Sequence, residues 1–520
     1  MRLRPTPLGE KQSFLTGALI LSAAGFLSQL LGVFSKIFLL WLIGEEGVGI
    51  YNFPYPFFAI ILSFSSVGFN VAISKLVAEF SAKNDSYHSE KVFRLGMRLS
   101  LILGFGGSLL LAIMAYPMAT WVHQDQRALF SYLALAPTAF LTSFQAVYRG
   151  YFQGLQNMKP NAASQLIEQI CRIFVMLVLA WILLPLGLTY AAAGATFGAA
   201  TGAIGASLYL HWLYRNHEKS VGKIDIPKKR YRNTAIYKKI LRYAIPISFA
   251  GVGLPTFLLA DSLLIANRLQ AVGVSLSEAT ATYGVFANNA MSLIALPTIL
   301  TSSLFVTLVP AIAEGRALED HEKVRNLTQR GFQWTLLFAL PAAVGLHQIA
   351  VPLTLLLRMG STTAVALQTL TFGLPFIALQ QVSSGVLQGM GHSLRPVQHM
   401  LIGALIKFIG NFVLIPILGI HGAALSTVLG FFAAALLNLH HIYRNVGSFF
   451  SMVQHLLKPG IAALLMGFAL ILIQRYFLQT LPAFASLLIQ TIFGLTIYII
   501  VLILMKALSK ADWEVFLKKR

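Results

Sequence analysis

The sequence is poor in the residues on which soluble enzymes rely. Only 11% of its 520 residues are charged, 18 acidic residues stand against 39 lysines and arginines, and Cys171 is the single cysteine. One cysteine excludes an internal disulfide, and its thiol is not expected to be reactive within an apolar helix. The sequence has no Walker A, HExxH or GxSxG motif. We therefore expect no enzyme activity, no ATP hydrolysis and no metal or cofactor.

Long apolar segments dominate the chain instead. Hydrophobic residues make up 57% of it, and the mean hydropathy is +0.72. Segments of about 20 apolar residues are long enough to cross a bilayer as helices, so we predict an all-α integral membrane protein with about fourteen transmembrane helices. The first is too long for a cleaved signal peptide and is expected to be retained. The predicted helices are 14–43, 52–80, 92–117, 128–152, 161–185, 189–214, 238–268, 280–312, 328–350, 363–389, 396–418, 421–443, 457–477 and 483–507.

Basic residues are concentrated in alternate loops of this predicted topology. They precede the first helix, fill the segment 215–242 and follow the last helix, whereas the opposite loops are acidic. This pattern follows the positive-inside rule and predicts that both termini are cytoplasmic. The net charge of +21 is therefore attributed to topology and to attraction by anionic lipid headgroups, not to nucleic-acid binding. The acidic residues of the opposite loops are Glu45, Glu46, Asp125 and Glu278.

The chain contains a weak internal repeat. The segment 51–154 recurs at 283–389, an offset of roughly 230 residues that comprises many helices. The sequence FQGL at 152–155 resembles LQGM at 387–390, and HEKV at 321–324 resembles the polar loop at 88–92. Because each copy holds an even number of helices, both copies enter the membrane in the same direction. The predicted arrangement is two pseudo-symmetric six-helix lobes around a central cavity.

These features predict four regions. Residues 1–215 form the first lobe, 216–237 a basic cytoplasmic linker, 238–445 the second lobe, and 446–520 hold helices thirteen and fourteen with a cytoplasmic tail. The last two helices have no partner in the repeat, and two roles are left open for them, peripheral support or the wall of a groove. Gly194, Gly198 and Gly202 recur at four-residue spacing, which favours close helix packing over substrate contact.

Three cations lie within predicted membrane helices, namely Lys36, Arg172 and Lys407. Each costs about 2.5–3.5 kcal/mol on insertion, so each is a candidate functional residue. Together they suggest a cationic cavity that receives an anionic headgroup such as a pyrophosphate. The alternatives are a salt bridge between Arg172 and Glu168, which lies four residues earlier, and a Lys36 side chain that extends to the membrane interface. Lys407 has no nearby acid, which favours the cavity.

Uncharged and acidic residues at membrane depth are further candidates. Asp261 could bind a coupling ion or pair with a cation of the first lobe, but its place near the outer end is equally consistent with a solvated side chain. Gln29, Asn288 and Asn289 are candidate cavity residues, with interhelical hydrogen bonding as the alternative role.

Several motifs resemble those of the stage V sporulation protein B family. They are GEEGVGIY at 44–51, AISKLVAE at 72–79, RGYFQG at 149–154 and LVPAIAE at 308–314. The family belongs to the multidrug/oligosaccharidyl-lipid/polysaccharide exporter superfamily, which includes the MurJ lipid II flippases. The resemblance implies fourteen helices, alternating access between two lobes, and export of an undecaprenyl-pyrophosphate-linked cell-wall precursor across a bacterial plasma membrane. In a sporulating bacterium the product would be spore cortex peptidoglycan.

The chain departs from the MurJ pattern at its cations. MurJ-type flippases carry arginines in helix one, where this sequence has Gln29 and, near the second position, Lys36. The arginine expected on helix eight is also absent, and we hypothesise that Arg172 and Lys407 compensate. The alternatives are a flippase for teichoic-acid or capsule precursors, a cation-coupled drug antiporter of the same fold, and a non-transporting scaffold. The scaffold would recruit cell-wall synthases as partners in place of a lipid-linked oligosaccharide.

Overall fold

The computed structural model describes residues 14–221, 231–477 and 481–506. The basic residues before the first helix, residues 222–230 of the basic linker and the basic carboxyl-terminal tail lie outside this described part. The chain divides into two compact units. The first contains the described residues up to Gln270 together with Val274–Gly284, and the second contains Ala271–Gly273 and the described residues from Val285 onward. The predicted lobe boundaries at 215 and 238 stay a prediction.

The described part of the first unit is helical. In chain order its helices are α1 (Phe14–Asn52), α2 (Tyr55–Leu62), α3 (Gly68–Ala82), α4 (Ser86–Pro117), α5 (Ala128–Gly154), α6 (Lys159–Leu183), α7 (Leu188–Val221), α8 (Asn233–Gly251), α9 (Gly253–Ala271) and α10 (Leu276–Gly284).

The second unit continues directly from α10 through a π-helical segment, Val285–Ala290. Its helices are α11 (Met291–Ala317), α12 (His321–Leu356), α13 (Gly360–Thr371), α14 (Leu374–Gly389), α15 (Arg395–Leu418), α16 (Ile420–Val446), α17 (Lys458–Phe477) and α18 (Ala483–Leu504).

The all-α membrane fold predicted from the sequence is confirmed. Within 14–221, 231–477 and 481–506 there is no β-strand. Eleven helices in this part are long and apolar enough to cross a membrane, and two bent pairs raise the number to thirteen. The bent pairs are α8 with α9, at 43°, and α13 with α14, at 54°. The count of about fourteen spans stays a prediction.

Several of the predicted straight helices are interrupted. Gly44 adopts φ 69° and ψ 178° inside α1, a conformation that glycine reaches without the steric cost of a Cβ atom. The predicted span 52–80 is divided into α2 and α3 by a π-helical turn at Ser63–Val67. Such breaks free backbone groups, which must then find partners inside the protein. Here the Ser63 hydroxyl donates to the Gly251 carbonyl at 3.1 Å, which ties the turn to α8.

Each unit has its own apolar core. In the first, Phe80, Phe93 and Phe152 pack with Ile236 and Ile240 of α8, so the start of the predicted seventh span belongs to this core. In the second, α17 and α18 pack against α12, and the Tyr498 hydroxyl donates to the Leu337 carbonyl at 3.0 Å. The last two helices are therefore attached to the second unit through α12.

Candidate functional site

The central residue of the candidate site is Arg172 on α6. Its Nη2 donates to the hydroxyl of Tyr51 at 3.3 Å and to that of Tyr55 at 3.2 Å. The hydroxyl of Tyr55 in turn donates to that of Tyr51 at 2.9 Å. The guanidinium also lies 5.4 Å from the ring centre of Tyr55, within cation–π range. Two neutral hydroxyl groups thus hold the cation in place without neutralising it.

Lys36 on α1 is the second cation of this site. Its ammonium and the guanidinium of Arg172 are close enough to repel each other electrostatically. Glu168 makes its ion pair with Arg149 of α5, at 2.7 Å, rather than with Arg172, on which it acts only at longer range. The alternative of a salt bridge between Glu168 and Arg172 is therefore not the pairing observed. Arg149 instead reaches Glu168 from the neighbouring helix and also donates to Ser164 at 3.0 Å.

The backbone of Arg172 is fixed by the glycines of α7. A Cβ atom at Gly198 would lie 2.8 Å from the Arg172 carbonyl oxygen. At Gly202 it would lie 2.5 Å from the Glu168 carbonyl oxygen and 2.8 Å from the Arg172 Cβ. Real Cβ atoms do not approach other atoms so closely, so only glycine lets α7 pack here. The packing role predicted for Gly194, Gly198 and Gly202 is confirmed.

An open apolar cavity, closer to a surface depression than to an enclosed pocket, lies beside α1 and α6. Its volume is about 400 Å³, and residues of both helices line it. Every lining residue is at least about 120° around its helix from Lys36 or Arg172, at 100° per residue. The α1–α6 pair therefore presents cations on one side and an apolar cavity on the other. The lining residues are Phe38, Trp41, Leu42, Leu177, Val178 and Trp181.

The remaining candidates of the first unit are Gln29 and Asp261. Gln29 is exposed on α1, about two helical turns before Lys36. Asp261 on α9 is only 3% exposed, and its charge acts on the buried Tyr283. The solvated alternative for Asp261 is therefore wrong, because this side chain is buried inside the unit.

The second unit contains the other three candidates, all buried. Lys407 and Asn411, one turn apart on α15, are each 0% exposed. Asn288 and Asn289 lie in the π-helical segment Val285–Ala290. Asn288 donates to the side-chain oxygen of Asn289 at 3.1 Å, and Asn289 donates to the Thr363 hydroxyl of α13 at 3.1 Å. For these amides the structure shows interhelical hydrogen bonding, the alternative role. It also encloses Lys407 within the second unit.

The sequence did not indicate a polar network at one end of the first unit. The Arg127 guanidinium donates two hydrogen bonds of 2.8 Å to the carboxylate of the buried Asp125 and a third, of 2.5 Å, to Glu46 of α1. The Thr280 hydroxyl of α10 donates to Asp125 at 3.0 Å. Hydrogen bonding to Asp125 raises the pKa of Arg127 above its ordinary value. The network fastens α10 to α1 and to the α4–α5 loop.

His123 lies beside this network, outside the spans. Its ring stacks on Phe53 with centroids 4.2 Å apart, and its Nε2 lies 2.8 Å from the Tyr132 hydroxyl. Burial lowers the pKa of His123 to about 4, because the apolar surroundings disfavour the charged ring.

The sequence also did not indicate Tyr51 and Tyr55 as site residues. Their i, i+4 spacing at a helix end was the available signal, but it is shared by aromatic residues at membrane interfaces.

The fold is shared with solved structures of membrane transporters. A solved structure of the lipid II flippase MurJ, in an inward closed conformation, aligns with a TM-score of 0.69 and 17% identity, covering 93% of this chain and 98% of that chain. Membership of the multidrug/oligosaccharidyl-lipid/polysaccharide exporter superfamily, expected from the motifs, is confirmed. Within 14–221, 231–477 and 481–506, no group of His, Cys, Asp or Glu is arranged to hold a metal ion.

The chain belongs to the polysaccharide biosynthesis protein family, whose model matches residues 14–316. It is 34% identical to stage V sporulation protein B of Bacillus subtilis over 439 residues, covering 82% of this chain and 83% of that protein. It is 26% identical to the lipid II flippase MurJ of the same organism over 488 residues, covering 88% of each. The resemblance to the stage V sporulation protein B family is thereby confirmed.

Proposed function

We propose that this protein is a flippase for an undecaprenyl-pyrophosphate-linked cell-wall precursor. The cargo is a lipid II-like molecule destined for spore cortex peptidoglycan, and the protein acts in a bacterial plasma membrane with both termini in the cytoplasm. One observation carries the proposal, namely Arg172 held at membrane depth by the hydroxyl groups of Tyr51 and Tyr55, with Lys36 nearby.

The chemistry of this site suits a pyrophosphate. An arginine presents planar N–H donors that match phosphate oxygens, and charge-assisted bonds to phosphate are stronger than neutral ones. Tyr51 and Tyr55 orient the guanidinium but leave its charge uncompensated, and Lys36 adds a second positive charge. An anion that enters this site offsets the repulsion between the two cations. A cationic drug would increase that repulsion, so the site argues against a drug antiporter.

The apolar cavity suits the other half of such a substrate. A polyprenyl-linked sugar has a charged headgroup and a long hydrocarbon tail, which need opposite surroundings. The α1–α6 pair offers cations on one side and the cavity lined by Phe38, Trp41 and Trp181 on the other. We propose that the headgroup crosses at the cationic side by alternating access while the tail stays in the lipid along this cavity.

The names of the similar proteins support the same cargo. One is a lipid II flippase and the other a stage V sporulation protein, and both align over more than four fifths of this chain. Lys407 would take part only in a state of the second unit that releases it from burial. It therefore enters the test as a separate variant.

The test measures exposure of lipid II on the outer surface of cells depleted of this protein and of redundant flippases. Wild-type protein is expected to restore exposure, and Arg172→Ala and Lys36→Ala to fail at normal expression. Arg98→Ala removes an exposed arginine of α4 and serves as the matched control, with full activity expected. Lys407→Ala is measured in parallel.

The outcomes separate the alternatives. Normal lipid II exposure without the protein would remove lipid II as its required cargo and favour teichoic-acid or capsule precursors, which are assayed in the same cells. Full complementation by Arg172→Ala would contradict the cationic site and favour a scaffold that recruits cell-wall synthases. Loss of exposure with Arg172→Ala but not with Arg98→Ala supports the flippase.

A further inference from the structure

Three histidines meet at one end of the second unit. His392 lies between α14 and α15, His399 is in the first turns of α15, and His441 is near the end of α16. The ring of His441 lies 5.2 Å from that of His392 and 6.0 Å from that of His399. The distribution of basic residues predicts that this end is cytoplasmic. None of these residues belongs to the site around Arg172.

Within the described part of the chain, the charged groups that act on His441 are basic. They are His392, Arg395, His399 and Arg444, from the α14–α15 loop, α15 and α16. From α11, Arg316 approaches the same loop, because a Cβ at Gly391 would lie only 2.9 Å from its Nη1. Arg395 and Arg444 are exposed, and no carboxylate is among the groups that act on His441. A surface built in this way attracts anions.

Hydrogen bonds within the cluster fix the proton on one of its rings. His399 Nδ1 lies 2.8 Å from the side-chain oxygen of Asn438. The Asn438 nitrogen is itself committed as a donor to Ser383 at 2.9 Å and Ser384 at 3.3 Å, so the oxygen faces His399 and accepts. Nδ1 therefore carries the proton in neutral His399. Its Nε2 can donate to a ligand only after a second proton is bound.

His441 supplies a further unsatisfied polar atom. Its Nε2 is enclosed and has no hydrogen-bond partner in the described part of the chain. A buried polar atom without a partner is costly, by about 1–3 kcal/mol. Beside the ring of His441, a ligand with several acceptor oxygens would accept from the guanidinium groups of Arg395 and Arg444 and, once it is protonated, from His399 Nε2.

We propose that His392, His399, His441, Arg395 and Arg444 form a phosphate-binding site for the headgroup of a membrane lipid. Phosphate oxygens match both the arginine donors and the doubly protonated histidines. The phosphate belongs either to the pyrophosphate of the polyprenyl-linked cargo, in which case the site rests on the proposed function, or to an anionic phospholipid. A histidine that binds a second proton gains a donor and a positive charge, so binding is expected to be stronger at pH 6 than at pH 7.5.

The test uses the purified full-length protein with labelled histidines in detergent. Undecaprenyl pyrophosphate and phosphatidylglycerol are titrated separately, at pH 6 and pH 7.5, while the histidine ring NMR signals and the lipid affinity are recorded. Wild-type protein is expected to bind one of these lipids more tightly at pH 6 with shifts of the cluster signals. His441→Asn and Arg444→Gln are each expected to weaken that binding by about tenfold.

The controls keep the result interpretable. Arg444 is exposed, so Arg444→Gln leaves the fold intact even where His441→Asn perturbs it. His321→Asn, at an exposed position of the same unit, is expected to bind as the wild type does. Which lipid responds identifies the source of the phosphate. Unchanged affinity and unchanged pH dependence in Arg444→Gln and His441→Asn overturn the proposal.

The proposed function is tested by a separate measurement. Lipid II exposure in cells that carry Arg172→Ala reports on flipping, whereas the NMR titration reports on the histidine cluster. If Arg172→Ala abolishes lipid II exposure but the cluster variants bind lipid as the wild type does, only the proposed phosphate site at the histidine cluster is overturned. If those variants bind phosphatidylglycerol more weakly but the protein has no effect on lipid II exposure, only the proposed lipid II cargo is overturned.

Discussion

Gly202 of α7 and Arg172 of α6 pack so closely that a Cβ at Gly202 would lie 2.8 Å from the Cβ of Arg172 and 2.5 Å from the carbonyl oxygen of Glu168. The second contact is to backbone, which cannot rotate away. A methyl group at Gly202 must therefore push α6 from α7, and with it the guanidinium from Tyr51 and Tyr55.

Gly202→Ala is accordingly expected to impair flipping and to destabilise the protein by about 1–3 kcal/mol through overpacking. Gly106→Ala on α4 is the matched control, because a Cβ there meets nothing within 4 Å and alanine favours the helix. Thermal unfolding and lipid II exposure check both variants. Equal stability and activity in the two would show that α7 does not position Arg172.

Tyr51→Phe and Tyr55→Phe each remove one hydroxyl from Arg172 and keep the ring. A hydrogen bond of this kind contributes about 0.5–1.5 kcal/mol, so the affinity for undecaprenyl pyrophosphate is expected to fall by about three- to tenfold in each variant. The control is Tyr498→Phe, which removes a buried hydroxyl that bonds to Leu337 far along the chain. It should lower stability without changing lipid affinity, and a loss of affinity there would contradict the assignment.

Arg127→Gln tests the network that joins α10 to α1. Asp125 is 0% exposed, and loss of its partner leaves a buried charge, which costs about 3–5 kcal/mol. Lys83→Gln breaks the exposed pair with Glu79, at 3.3 Å, and should cost less than about 1 kcal/mol. Thermal unfolding at neutral pH compares them. Similar small losses in both variants would mean that Asp125 finds another partner.

His123 predicts a loss of stability in mild acid. Its pKa is about 4 when folded and is near the ordinary 6.5 when unfolded, so the unfolded chain binds the proton first. The contribution of neutral His123 to the free energy of unfolding is therefore complete above pH 6.5. It is lost as pH falls to about 4, by about 3 kcal/mol in total. Unfolding measured between pH 7 and pH 4 should show this slope, and His123→Asn should flatten it. An unchanged slope in the variant would assign the loss to other groups.

The sequence predicted the features that depend on hydropathy and spacing. Long apolar segments predicted the spans, and the four-residue spacing of Gly194, Gly198 and Gly202 predicted a packing face. The π-helical turns were not predicted, because a turn such as Ser63–Val67 has no distinct composition. The count of spans depends on these bends.

Site contacts were harder to predict because they depend on which helices are neighbours. Spacing along one helix suggested that Glu168 pairs with Arg172, whereas Arg149 on α5 takes that carboxylate. Lys407 is a candidate cavity residue because no acid is nearby in the sequence, and the structure shows only that it is buried on α15. Depth in the membrane can be read from a sequence, but the direction in which a side chain points cannot.

The hydroxyl groups around Arg172 have an energetic consequence for how the protein is loaded. They orient the guanidinium of Arg172 without cancelling its charge, and the ammonium of Lys36 repels that charge. Without an anion, this pair of like charges raises the free energy of the folded protein. If the protein carries the proposed cargo, a pyrophosphate lipid therefore also completes the site structurally, and the protein should melt at a higher temperature when that lipid is bound.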